Sequence, residues 1–504
     1  LPVTLVADKL LQILFIVGDY KVKKLFAAFT TVAIVSSASY AVAQNQLETT
    51  LDLAVRGMMD DGSDVSYAER IIGADGSVEY TDLVISAPDG MFTMSMDWLK
   101  GVPAGSDVTF TVSDIINVTG QEDGVEFSFE IQSSGFMLTT NGLLREAMST
   151  EDVTVTFSAD EFVVTGGDPD SDVLRNLFVD FGAIDFDLLV STEEMFVKGA
   201  FDTEKMNIAY DYTIDGSSQD MQQTTEAVAL SFEFDIPEDG EAALGYLDGS
   251  KSGVFKMYSG ASEFVMTMDT NGIAIGMEGT SGEGSILLEI VGGNITYDVN
   301  VDGFDMVVTP GEGLQIPPIE MSMGEMAMKL VIPAGATDEP AEMIIDILFA
   351  DLVIGESLWS MIDPDKTISR APAQLDIDIE ALVQLDAMAV ISGEEPTSAA
   401  TIYSLDINQI LLSLAGASIQ IDGSATFDNS GPIPKPLGSL TIDIRGFSTL
   451  ANQLVELGLL NKIQAGMAIG MLMAFGKSGS GADQFISEIT FSENGILANG
   501  QPIR

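Results

Sequence analysis

One stretch limits what this chain can fold into: Val125-Glu126-Phe127-Ser128-Phe129-Glu130-Ile131-Gln132, where apolar and polar residues alternate without a break. Side chains on a strand point alternately to its two faces. Val125, Phe127, Phe129 and Ile131 therefore share one face, and Glu126, Ser128, Glu130 and Gln132 share the other. The pattern is rewritten along the chain. It returns in Phe92, Met94, Met96 and Trp98, in Val108, Phe110 and Val112, and in Val153, Val155 and Phe157. It returns again in Met206, Ile208, Tyr210, Tyr212 and Ile214, and in Val228, Leu230, Phe232, Phe234 and Ile236. Phe264, Met266 and Met268 lead into Asn271-Gly272, a hairpin turn signal, and then Ile273, Ile275 and Met277. Ile295, Tyr297, Val299 and Val301 end the series.

Adjacent one-sided strands joined by short Gly/Asp turns predict an antiparallel meander with one apolar and one wet face. The expected fold is mainly β: a long twisted antiparallel sheet, groove-like or sandwich-like, with a few short C-terminal helices. One interruption reads as a helix, 171–181, where Val173, Leu174, Leu177 and Phe178 fall at helical spacing. Pro310, Pro317 and Pro318 mark a linker or sheet corner. The expected division is 44–308 for the meander and 309–504 for a β-rich C-terminal part, continuous with the first sheet.

Beyond the prolines a short triplet recurs: Ile345-Asp346-Ile347, Ile377-Asp378-Ile379, Leu405-Asp406-Ile407 and Ile442-Asp443-Ile444. Apolar runs such as Ile410-Leu411-Leu412 follow, suggesting a weak repeat of strand plus short helix. Helices are predicted over 448–457, ended by Gly458, and over 462–475, which contains Met467, Met471 and Met473. A hairpin around Asn494-Gly495 ends the chain.

At the amino end, Lys21-Val22-Lys23-Lys24 precedes an apolar run, Leu25 to Val35, and small residues ending Ala41-Val42-Ala43. A basic region, an apolar region and an A-x-A site make a secretory signal peptide. Cleavage is expected after Ala43, with Ala41 as a second site, and residues 1–21 read as upstream translation. The rival reading is an uncleaved anchor helix over 25–43. With cleavage, no transmembrane anchor remains and the protein is periplasmic.

Composition removes whole classes of chemistry. The 504 residues hold 77 acidic and 21 basic side chains, a net charge of -56, so nucleic acid is not an expected partner. Cysteine and histidine are absent, which excludes disulfides, thiolate and imidazole catalysis, and His- or Cys-ligated metals. Ten Tyr and two Trp are too few for the aromatic girdles of an outer-membrane barrel.

Two blocks carry a family resemblance. One is Leu358-Trp359-Ser360-Met361-Ile362-Asp363-Pro364 with Ser369-Arg370-Ala371-Pro372-Ala373. The other runs through Gly438-Ser439-Leu440-Thr441-Ile442 and Gly458-Leu459-Leu460 to Ser492-Glu493-Asn494-Gly495-Ile496-Leu497-Ala498-Asn499-Gly500-Gln501. Together they resemble the DUF2125 family, exported proteins without assigned activity. The tail is also similar to DUF945, and the strand-rich build to AsmA-like envelope proteins. The resemblance supplies no catalytic residues. Its AsmA-like side implies a curved sheet with an apolar inner face and envelope or lipid-linked work.

Candidate sites are few. Asp168, Asp170 and Asp172 are spaced like the first ligands of a calcium loop, but Val173 and Val179 stand where that loop needs Gly and Glu. Asp60, Asp61 and Asp64 around Gly62 are a weaker case of the same kind. Gly476-Lys477-Ser478 follows an apolar helix rather than a strand and does not make a P-loop. Neither a catalytic residue, a cofactor site nor a metal site is expected, and the chain reads as a non-enzyme. The candidate hydrophobic ligand face is Met94, Met96, Phe127, Phe129, Phe232, Phe234, Met266 and Met268, since thioethers adapt to varied apolar partners. The expected function is an envelope protein that binds lipid or another hydrophobic ligand in an apolar β groove. The alternative is a structural or protein-interaction protein with a closed core; a carboxylate hydrolase comes third.

Overall fold

The computed structural model describes residues 64–503 except 88–91, 105–106, 123–124, 142–151, 168–173, 192–193, 215–216, 237–244, 247–248, 271, 312–313, 315, 334–338, 386–399, 432 and 494. The fold is mainly β, an antiparallel sheet of many strands with three helices among the described residues. Both aspartate clusters weighed as calcium loops lie outside this range, apart from Asp64, which opens a short strand. The signal-peptide segment lies outside it as well. The chain divides into two compact units at Glu233/Phe234. The 309–318 segment joins two paired strands inside the second unit, Phe304–Thr309 and Ile319–Met323.

In the N-terminal unit the meander is built from creased strands. Asp107–Val112 and Ile115–Glu122 are two halves of one run, broken at Ser113 and Asp114. Val125–Ser134 and Met137–Thr140 break at Gly135 and Phe136, and Val153–Ala159 and Glu161–Gly166 break at Asp160. The halves pair separately, giving two ladders that both meet the long strands Phe92–Ala104 and Phe196–Ile214. One core takes side chains from both ladders: Val108, Phe110, Leu138 and Val155 from one, Ile116, Ile131, Phe162 and Val164 from the other. A string of rings, Phe136, Phe157, Phe162, Phe181 and Phe201, follows the crease at centroid spacings of 5.0 to 6.2 Å. This unit is closed.

The helix expected over 171–181 is a strand, Leu174–Asp180. Two flanking ladders, to Glu161–Gly166 and Phe196–Ile214, claim its backbone, and they outweigh four apolar residues at helical spacing. Asp180 at its end is buried, accepting from Lys205 Nζ at 2.6 Å, the Gly182 N–H at 2.8 Å and Asn207 Nδ2 at 3.1 Å.

The C-terminal unit repeats the creased build and then abandons it. Gly253–Ser259 and Ser262–Thr270, Ile273–Ser281 and Gly284–Val291, and Asn294–Val301 and Phe304–Thr309 are halves of long strands. Glycine is required at two points of this crease. A Cβ on Gly282 would run into the carbonyl oxygen of Asp302, and Gly303 sits at φ +67°, a conformation that costs other residues. From Ala373 onward the strands run uncreased: Ala373–Leu385, Ala400–Leu414, Ala417–Asp428, Lys435–Arg445 and Gln484–Ser492, each antiparallel to the next.

The strand-plus-helix repeat holds only in part. Ile410-Leu411-Leu412 continues its own strand, because a short apolar run does not separate a helix from a strand half-covered on both faces. The strands that hold Ile345-Asp346-Ile347 and Ile442-Asp443-Ile444 are each followed by a helix. The helices are α1 (Glu356–Ile362), α2 (Phe447–Glu456) and α3 (Lys462–Phe475). The α2 start has glycine at its cap, so a distant carboxylate serves instead. Asp483 accepts from the N–H groups of Thr449 at 2.8 Å and Ser448 at 3.3 Å. Gly458 at φ +72° ends α2, and the Asn461 side chain caps α3 by accepting from the Ile463 N–H at 2.8 Å. The terminal hairpin pairs Gln484–Ser492 with Gly495–Ala498.

Candidate hydrophobic site

The triplets explain themselves once register is known. Ile345 faces Ile379 across the ladder, Asp346 faces Asp378 and Ile347 faces Ile377. Each triplet puts its outer residues on one face of the sheet and its aspartate on the other. Continued strand by strand, directly paired residues form a row: Met257, Ile286, Val299, Met328, Ile347, Ile377, Ile410, Ile421 and Ile442. A second row beside it contains Phe255, Leu288, Tyr297, Leu330, Ile345, Ile379 and Ile407. A third passes through Phe349, Leu375, Leu412, Ile419, Ile444 and Phe485. The result is an apolar floor whose longest row crosses nine strands. Apart from the buried Ile407 its side chains stay partly exposed, and Leu412 is 45% exposed.

Over the floor's C-terminal end lies α3. Between them is a cavity of about 510 Å³, lined by Ile442, Ile444, Phe485 and Ile489 from the sheet, Phe447 from α2, and Ala468, Met471, Leu472 and Phe475 from α3. Gly476, Ser487 and Ile503 complete the lining. A volume in this range with an apolar wall suits an alkyl chain and offers little to a polar substrate.

The opposite face is acidic. Asp298, Lys329, Asp346 and Asp378 stand in one register row. Burial, and then the charges of Asp378, Asp376 and Asp298, push the Asp346 carboxyl above the ordinary aspartate range, with Lys329 acting the other way. A raised folded-state value means that this group adds stability as pH falls through it, and opposes folding above it. Asp378→Asn is therefore expected to stabilise the unit at neutral pH and low salt by on the order of 0.5 kcal/mol, a gain that fades in high salt. Urea melts at two ionic strengths check this.

After α1 the chain turns through a buried carboxylate. Asp363, 0% exposed, accepts from Arg370 Nη1 at 2.7 Å and from the N–H groups of Ile368 at 2.7 Å and Thr367 at 2.9 Å. Arg370 donates further to the carbonyls of Ile368 and Asp363, and its guanidinium lies 4.4 Å from the Trp359 ring centre. Gln453 of α2 donates to the Thr367 carbonyl at 2.7 Å, so the same turn holds α2.

Residues 265–500 match the family described as an uncharacterized protein conserved in bacteria, DUF2125. This part of the chain belongs to the DUF2125 family. The DUF2125 region holds most of the floor, the cavity, all three helices and the Asp363–Arg370 clamp; in it, Trp359, Asp363 and Arg370 hold the turn after α1. No curated protein matches the chain. Among solved structures, the crystal structure of BauA, the ferric preacinetobactin receptor from Acinetobacter baumannii, is similar at 7% identity and a TM-score of 0.18. That likeness covers 87% of this chain and 79% of that one, and at such a score it carries no argument.

The residues expected to form one ligand face are divided between the units. Met94, Met96 and Phe232 are buried in the N-terminal unit, and Phe127 and Phe129 pack against its closed core. Phe234, Met266 and Met268 are half-buried in the C-terminal unit, where Met266 faces Met277 and Met268 faces Ile275. Lys477–Ser478 is a short strand after the α3 cap at Gly476. Among the described residues, no group of three or more His, Cys, Asp or Glu is placed to hold a metal ion. The cavity residues were not singled out from the sequence. Their one legible signal was α3 itself, a helix apolar on every side.

Proposed function

We propose that this is a non-enzymatic cell-envelope protein that holds a lipid acyl chain, or another hydrophobic ligand, against the apolar floor of its C-terminal unit. The carrying observation is the cavity of about 510 Å³ between α3 and the floor, which opens onto rows of half-exposed isoleucine, leucine and methionine. The signal-peptide pattern ending at Ala43 supports export to the periplasm. Native mass spectrometry with lipid extraction, on protein exported to and purified from a periplasm, tests the reading. Co-purifying phospholipid or fatty acid that a fluorescent acyl probe displaces is the expected result. A lipid-free protein that ignores the probe overturns it. The closed core of the N-terminal unit favours a second role for that unit, as a scaffold or protein-binding module.

A further inference from the structure

The outer surface of α3 is as apolar as its inner one. Ile463, Met467 and Met473 are 71%, 58% and 65% exposed, and none of the three lines the cavity. Between them, Gly466 and Gly470 have nothing within 4 Å of where a Cβ would stand, so among the described residues this side of the helix meets no other part of the protein there. Well-exposed apolar side chains at this density mark an interaction surface.

Charge decides what covers it. In a chain with 77 acidic residues, positions 457–482 contain none, and the two charges they do contain are Lys462 and Lys477, one at each end of α3. We propose that α3 docks on a phospholipid bilayer, lying in the plane of the interface. Its outer methionines and isoleucine enter the acyl region, and the two lysines reach headgroup phosphates. At 14 residues the helix is about 21 Å long, too short to cross a hydrocarbon core of roughly 30 Å, so it rests on the membrane rather than spanning it. A second copy is the poorer occupant. Two chains of net charge -56 repel, and the lysines of paired α3 helices would meet each other rather than an anion. The same negative charge orients docking, because anionic headgroups repel acidic surface and accept the acid-free zone. This inference goes beyond ligand binding on the floor and stands without it.

Flotation of the protein exported to and purified from a periplasm, with vesicles of phosphatidylethanolamine and phosphatidylglycerol, 3:1, tests the proposal. Wild-type protein is expected to float, and the double variant Met467→Asp/Met473→Asp to lose at least tenfold in bound fraction with an unchanged melting temperature. Neither residue lines the cavity, so lipid retained by that variant in mass spectrometry separates docking from ligand binding. Met467→Trp gives a direct readout beside the two native tryptophans, Trp98 and Trp359. Its emission is expected to shift to the blue and be quenched by brominated acyl chains. Wild-type protein that stays unbound, a double variant that floats equally well, or an unquenched Trp overturns the proposal. So does a vesicle-independent dimer that the double variant abolishes, which would assign the face to a second copy.

Discussion

Leu83→Ala is expected to lower the unfolding free energy of the N-terminal unit by about 3–4 kcal/mol, while Ile377→Ala in the C-terminal unit costs about 1 kcal/mol. Both are large aliphatic side chains in directly paired rows of an antiparallel ladder. Leu83 faces Met96, which faces Ile116, and the row continues through Ile131 and Val164. Leu83 is 0% exposed, because the two ladders of the creased sheet close over that row. Its truncation leaves a cavity that the packed surroundings cannot fill. Ile377 lies on the floor, half-exposed, so much of its surface already meets solvent and little cavity forms. Denaturant melts of both variants measure the contrast directly. Equal losses would mean that the floor is covered as thoroughly as the core.

The second large effect belongs to the clamp. Arg370→Ala should destabilise the C-terminal unit by on the order of 3 kcal/mol, since it strands a buried carboxylate. Arg370→Lys should recover only part of this, because an ammonium cannot reach the Asp363 carboxylate and the carbonyls of Asp363 and Ile368 with the same planar fork. The clamp also sets an acid response. Burial pushes the Asp363 carboxyl up, but the Ile368 N–H, the Arg370 guanidinium and the Thr367 N–H outweigh it and hold the group at about 2. An unfolded aspartate titrates near 3.9, so the folded state gives up this proton more readily. The stabilisation is complete above about pH 4 and is lost as pH falls through 2. Thermal melts from pH 6 to pH 2 should show wild type losing stability more steeply over the lowest two units than Asp363→Asn, which lacks the titrating group.

The period-two runs made the fold class legible, because strand after strand in the meander is one-sided enough to announce itself. The apolar helix over 462–475 and the terminal hairpin were equally plain. What alternation does not encode is whether a face meets another face. Met94 and Met266 occupy the same pattern, yet one is buried in a core and the other half-exposed on a strand of the open unit. Nor does alternation encode where a strand creases: the breaks at Ser113, Gly135 and Asp160 read as ordinary turns but crease whole strands. The 171–181 segment failed for a related reason. Local spacing proposed a helix, and ladders to residues far along the chain overruled it. The clamp residues were visible as a family block, but the block carried no hint that Asp363 and Arg370 are partners.

The register of the floor makes its size a counted quantity. Neighbouring strands stand about 4.8 Å apart, so the nine strands of its longest row set a track of nearly 40 Å along the hydrogen-bonding direction. That is more than twice the roughly 15 Å that one leaflet contributes to a bilayer's hydrocarbon core. A meander lengthens by whole hairpins without disturbing the register of those already present. Gain or loss of one hairpin would therefore change the track by about 10 Å, making the C-terminal unit a ruler whose graduations are strands.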